Sequence, residues 1–230
     1  MKPISLYEFG SDEQIVRQIQ SRFIEFFRHS GPVLDVGCGR GVFLDLLRAA
    51  GIEAVGIDHS QESVTACRER GFSVDRQDAR QYLAQSEGRF GGIFCSHVIE
   101  HMSYEDAMSF LALCHRALRD AGVLLLVTPN PEDLTIISEI FWLDPTHVRP
   151  YPKQLLQTML EANGFKVTRA EQFLGSWRMI GRRNLPMYFI RRMLLGRHFG
   201  RPNTLLLAEK HAGPNYSTSD AEMLHCHSQH

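Results

Sequence analysis

From residue 33 onward the chain alternates, without any internal sequence repeat, between short apolar, β-rich runs that end in turns and segments with apolar residues at helical spacing. The pattern predicts strands at 33–36, 54–57, 72–74, 92–96 and 122–128. Between them it predicts helices at 42–50, 60–70, from about 79, and at 104–119. A helix over 153–162 and strands at 165–173 and 204–208 complete the series, and Ile15, Ile19, Phe23, Phe26 and Phe27 predict a leading amphipathic helix over 12–28. Strands separated by helices imply an α/β fold, a parallel sheet with helices on both faces. In such sheets ligands lie outside the carboxyl ends of the strands, where the strand order reverses.

The first predicted strand ends in VLDVGCGRG, with Gly37, Gly39 and Gly41 at every second position. Gly37 and Gly39 let backbone approach a ligand more closely than any side chain would permit. The pattern is G-x-G-x-G, not the G-x-G-x-x-G of dinucleotide binders, and a pyrophosphate wants the longer motif and a free helix N-terminus. The second strand ends in GIDHS, placing Asp58 where a carboxylate can accept two hydrogen bonds from a ribose diol. The third runs into DRQDAR, placing Asp78-Ala79 where an adenine amino group can be met. Three sites at three successive strand ends describe one adenosine.

VLDVGCGRG, GIDHS, QDA, SHVIEHM and GVLLLVTPNP, in that order and spacing, resemble the class I S-adenosylmethionine-dependent methyltransferases, over about residues 30–173. The resemblance implies a Rossmann-like, seven-stranded, mostly parallel sheet whose last strand is antiparallel. It implies that Gly37, Cys38 and Gly39 line the methionine portion of S-adenosylmethionine, that Asp58 holds the ribose, and that Asp78 and Ala79 flank the adenine. Asp35 would orient the glycine turn or the cofactor's ammonium, and His59 and His97 complete the cofactor set. The product would be S-adenosylhomocysteine. The methyltransferase domain is expected over 31–210, after an N-terminal helical extension (1–30), with insertions at about 129–152 and 175–202 and a disordered tail at 211–230.

Methyl transfer to oxygen needs an aligned nucleophile and a group that takes its proton. The candidates are His97, Glu100 and His101 in HVIEH and His147 in the insertion. His101, just past the fourth strand, is the first choice as base. Four-residue spacing would put His97 and His101 on one helical face. The same four residues could bind a divalent metal, since ubiquinone-pathway and small-RNA methyltransferases carry a similar E-x-x-E-H. Here His97 replaces the first carboxylate, which suits Zn²⁺, Mn²⁺ or Fe²⁺ better than Mg²⁺; a metal-free base is the favoured reading. FWLDPTHVRPYP is similar to a segment of methyltransferases of surface-polysaccharide and other glycan biosynthesis. It suggests a sugar hydroxyl as acceptor, with Trp142 and Tyr151 stacking on the ring and Arg149 and His147 hydrogen-bonding to it. Small-RNA or quinone O-methylation, and a non-catalytic binding module, are the alternatives.

Between Glu171 and Glu209 there is no acidic residue but there are seven arginines: Arg178, Arg182, Arg183, Arg191, Arg192, Arg197 and Arg201. They alternate with large apolar side chains, so 176–201 could contact a membrane surface or a phosphorylated or lipid-linked substrate. A net charge of −1 argues neither for nor against a nucleic-acid partner, so any electrostatic recognition rests on local patches, and nucleic acid is not the favoured partner. Cys38, Cys67, Cys95, Cys114 and Cys226 form no C-x-x-C pair, and the first residues lack a secretion-signal pattern. The expected location is cytoplasmic, with a peripheral position at the inner membrane face compatible with the arginine-rich stretch. His225, Cys226, His227 and His230 carry no expected function.

Overall fold

Seven strands form a single sheet in the order β3-β2-β1-β4-β5-β7-β6 in a computed structural model that describes residues 13–174 and 185–211. The strands are β1 (Val33–Val36), β2 (Ala54–Asp58), β3 (Val74–Arg76), β4 (Phe90–Ser96), β5 (Leu118–Pro129), β6 (Phe165–Phe173) and β7 (Asn203–Lys210). The helices are α1 (Glu13–Gln20), α2 (Val42–Ala49), α3 (Gln61–Glu69), α4 (Ala79–Ala84), α5 (Tyr104–Ala117), α6 (Lys153–Ala162) and α7 (Leu185–Leu195). Strands β1 to β5 pair in parallel, and β7 lies antiparallel between β5 and β6. This is the seven-stranded, mostly parallel arrangement expected from the sequence.

Side chains alternate across the sheet with period two. Leu34, Val36, Ile93, Cys95, Leu124, Leu126, Leu206 and Ala208 point to one face, where Phe110, Leu111, Leu156 and Leu160 of α5 and α6 cover them. Val33, Phe94, Leu125, Val127 and Leu205 point to the other, where Phe43 and Leu47 of α2 meet Phe23 and Phe27. Phe43 and Phe94 lie with ring centroids 3.9 Å apart, and Phe27 meets both rings edge-on. Gly92 makes room for this cluster: a Cβ there would stand 2.5 Å from Phe27 Cδ1.

Several expected boundaries move, with β4, β5 and β7 all longer than expected, and three of the shifts have a visible cause. The leading helix ends at Gln20 and tightens into a 3₁₀ helix over Ser21–Phe27, which turns Phe23, Ile24 and Phe27 onto the sheet. The segment expected as an extension thus supplies part of the core. The third strand starts two residues late, because the Phe72 amide donates back to Cys67 O to close α3, while its ring lies under the guanidinium groups of Arg48 and Arg70. Helix α5 stops at Ala117 because Leu118 adopts extended backbone and pairs with Phe90.

The expected 129–152 insertion contains a π-helical turn (Ile136–Ile140) and a 3₁₀ turn (Phe141–Leu143). The 175–202 insertion contains α7. Residues 212–230, with His225, Cys226, His227 and His230, lie outside the described residues, as do Arg178, Arg182 and Arg183.

Candidate active site

The parallel strands bring Gly37, Asp58, Arg76 and His97 to one edge of the sheet. Strand β1 is buried throughout, and the chain leaves it with Gly37 at φ +70°. A Cβ on Gly37 would sit 2.7 Å from Val98 Cγ2, so the turn and the end of β4 can close together only on a bare backbone. The Gly37 and Cys38 amides donate to Ile57 O at 2.9 and 3.0 Å, which ties the turn to β2. Asp58 completes it: Oδ2 accepts from Gly39 N at 2.9 Å and Oδ1 from Ser60 N at 2.8 Å. A carboxylate has about four lone-pair sites, so two bonds to backbone leave capacity for a diol.

Asp35 is 2% exposed, and its Oδ2 has no hydrogen-bond partner among the described residues. Burial first, then the neighbouring Asp58 carboxylate, raises its pKa to about 8. An orphaned buried carboxyl beside an open glycine turn fits a ligand that brings a cation or a donor. Cys38 turns its side chain inward among Leu44, Val64 and Cys67, where burial pushes its thiol pKa up, so only its backbone faces the turn. Asp78 caps α4, Oδ1 accepting from Arg80 N and Gln81 N, with Ala79 half-buried behind it. His59 is exposed, its Nδ1 3.8 Å from Asp58 Oδ1.

Past β4 the HVIEH residues separate. His97 has left-handed backbone, φ +57°, and donates its amide to Val127 O; only Ile99–His101 form a 3₁₀ turn. The shared helical face expected for His97 and His101 is therefore absent, because β4–β5 pairing continues through residue 97. Instead His97 Nδ1 lies 3.1 Å from Glu100 Oε1. Glu100 is 0% exposed, and its Oε2 accepts from the buried Thr128 hydroxyl at 3.1 Å. Burial alone would raise the Glu100 pKa, but the bond and charge from His97 outweigh it, and the group titrates below the usual carboxylate range.

His101 turns to the insertion, with Nδ1 2.9 Å from Thr146 Oγ1 and 3.2 Å from Thr146 O. His147 sits against it, ring centroids 4.7 Å apart, with Nδ1 donating to Phe141 O at 2.6 Å; its buried Nε2 has no hydrogen-bond partner among the described residues and lies 3.9 Å from Asp144 Oδ2. Glu100, His101 and His147 each offer a ligand atom within 4.8 Å of the others; His97 falls outside this trio. The insertion is strapped down by Val148 and Arg149 amides donating to Glu100 O.

Tyr151 is fully buried, its hydroxyl 3.0 and 2.8 Å from Met102 O and Ser103 O. It cannot stack on a sugar, a correction to the sequence reading. Arg149 packs its guanidinium over the Tyr104 and Tyr151 rings. Trp142 stays 59% exposed with Nε1 donating to Ile137 O. Sequence reasoning missed Thr128, Thr146 and Val98. All three stood in motifs already singled out, but nothing in the sequence shows which partner each meets.

A glycine turn between two strand-end aspartates, on a sheet with β7 reversed between β5 and β6, defines the class I S-adenosylmethionine-dependent methyltransferase fold. The family model described as "Methyltransferase domain" matches residues 11–170, and the chain belongs to that family. Over 103 residues it is 38% identical to the ubiquinone biosynthesis O-methyltransferase of Methylococcus capsulatus, 42% of this chain and 43% of that protein. Over 136 residues it is 32% identical to a probable S-adenosylmethionine-dependent methyltransferase of Mycolicibacterium smegmatis, 59% and 52% of the two chains. The chain thus spans about half the length of the curated relatives it matches. The crystal structure of a SAM-dependent methyltransferase from Archaeoglobus fulgidus superposes with a TM-score of 0.74 at 29% identity, covering 86% of this chain and 95% of that one.

Proposed function

We propose that this chain is an S-adenosylmethionine-dependent O-methyltransferase that acts on a hydroxyl of a sugar, glycan or related small molecule. One observation carries the catalytic part: a buried carboxylate, Glu100, stands behind His97 at the edge that holds the glycine turn. Glu100 accepts from Nδ1–H, which fixes the tautomer and leaves Nε2 as the acceptor nitrogen. Bound S-adenosylmethionine supplies a methyl group already activated by its sulfonium. Asp58, oriented by the Gly39 amide, would hold the ribose, and the buried Asp35 would meet the cofactor's ammonium. His97 Nε2 takes the hydroxyl proton as the oxygen attacks, and Glu100 stabilises the resulting imidazolium. Exposed Trp142 offers a platform for a sugar face, which supports the glycan reading.

A second reading uses Glu100, His101 and His147 as ligands of a divalent ion that would lower the pKa of the acceptor hydroxyl. The buried His147 Nε2, which makes no hydrogen bond among the described residues and has Asp144 Oδ2 3.9 Å away, supports it.

Transfer from labelled cofactor into sugars, phenolic quinone precursors and short RNAs tests the proposal. His97→Ala should lower kcat by roughly 10²–10⁴-fold, with affinity for S-adenosylhomocysteine nearly unchanged. Glu100→Gln should follow it in the same direction. Activity that survives His97→Ala but vanishes in His101→Ala and with a chelator selects the metal reading. Methylation of phenols alone would discard the sugar acceptor, and cofactor binding without transfer to any acceptor would leave a binding module.

A further inference from the structure

Helix α7 turns its apolar side outward. Tyr188 and Arg192, one turn apart, hold the inner side. The Tyr188 hydroxyl donates to Gly200 O at 3.4 Å and its ring lies 5.4 Å from that of Phe199. Arg192 Nη1 donates to Gly196 O at 2.7 Å and also to Phe199 O. Opposite them Met187, Phe189, Ile190, Met193 and Leu194 are exposed, Met193 by 77% and Leu194 by 73%. At 100° per residue these five cover an arc of about 160°. A surface helix ordinarily buries such an arc against its own core. Arg191, exposed, borders it, and Arg197 is exposed just beyond the helix end.

The location adds a second observation. The insertion leaves the sheet at Phe173 and returns at Asn203, a cross-strand pair, and Asn203 also pairs with Pro129 at the carboxyl end of β5. That is the sheet edge carrying Gly37, Asp58 and His97. The returning segment is clamped there: Arg201 N donates to Asp133 Oδ2 at 2.8 Å, and Asn130 Nδ2 to Arg201 O at 2.7 Å.

We propose that α7 is a peripheral docking face for a bilayer containing anionic phospholipid. Apolar side chains enter the interface, and Arg191 and Arg197 meet the headgroups. Charge decides against a second copy of the chain as the occupant. The whole stretch from residue 172 to 208 holds no acidic residue, so a self-complementary contact would set arginines near arginines. Among the described residues no helix is long and apolar enough to cross a membrane, which agrees with an interfacial role. The proposal does not depend on the methyl acceptor.

Co-sedimentation of the full chain with phosphatidylcholine vesicles, with and without phosphatidylglycerol, tests it. Binding should require phosphatidylglycerol and fall at high salt. The Arg191→Gln/Arg197→Gln pair should weaken it roughly twenty-five-fold, at about fivefold per basic residue. Met193→Asp/Leu194→Asp should weaken it at least tenfold. Melting temperature and S-adenosylhomocysteine affinity of each variant serve as folding controls. If the aspartate variant fails to fold, the glutamine pair still decides. Failure of the wild type to bind, or equal binding by the glutamine pair, would overturn the proposal. So would a dimer in lipid-free sedimentation that Met193→Asp abolishes, which would assign the face to a second copy.

Discussion

Two carboxylates beside the glycine turn, Asp35 in β1 and Asp58 at the end of β2, have opposite duties. Asp58 is satisfied by backbone amides on both oxygens, so it shapes the turn before any ligand arrives. Asp58→Ala should weaken cofactor binding by about 1.5–3 kcal/mol, tenfold or more by calorimetry. Asp35 is the unsatisfied partner, with a pKa raised from 3.8 to about 8. The folded chain therefore keeps a proton that the unfolded chain releases above about pH 4. Its contribution to stability is complete below that pH and is lost as pH rises through about 8. The ligand-free protein should lose stability from pH 5 to 8, with a slope approaching ~1.4 kcal/mol per pH unit, and Asp35→Asn should flatten it in denaturant titrations. A cationic ligand reverses the preference and favours the carboxylate. Binding near pH 7 should therefore release close to one proton, read as a dependence of calorimetric heat on buffer ionisation enthalpy.

Among the elements, β4 carries most of the constraint. Its amino end must admit Phe27 over Gly92, and its carboxyl end must present His97. Gly92→Ala would force a methyl to 2.5 Å from the Phe27 ring, and overpacking of this kind costs typically 1–3 kcal/mol. A melting temperature several degrees lower, partly restored by Phe27→Leu, is the expected result. The sequence made this strand legible through its apolar run, and made Gly37, Asp58 and Asp78 legible because each follows a strand at a fixed offset. It could not show that His97 pairs with Glu100 rather than sharing a helical face with His101. That depends on Val127, thirty residues away, drawing residue 97 into the ladder. Nor could periodicity show that Tyr151 is buried, since its hydroxyl partners are carbonyls of residues 102 and 103. Contacts across long separations leave no local signal.

For the whole molecule, the same logic makes the 3₁₀ helix that follows α1 part of the core. Phe23 and Phe27 pack on Phe94, Phe43 and Phe173. Removing residues 1–28 would uncover that aromatic cluster, each large side chain contributing about 1.5–3 kcal/mol. Loss of a cooperative thermal transition in the shortened chain is the expected outcome. Strand β7 sets a different condition. It bonds to β5 over Val123–Pro129 and to β6 over Phe165–Phe173, and without it those two strands have no neighbour in common. During synthesis both therefore wait as open edges, the templates on which chains misassociate. Everything that would grip the cofactor has been made by residue 101, yet the sheet beneath it closes only when residue 210 has left the ribosome. The last strand, rather than the glycine turn, is the step that decides when a nascent chain becomes a safe one.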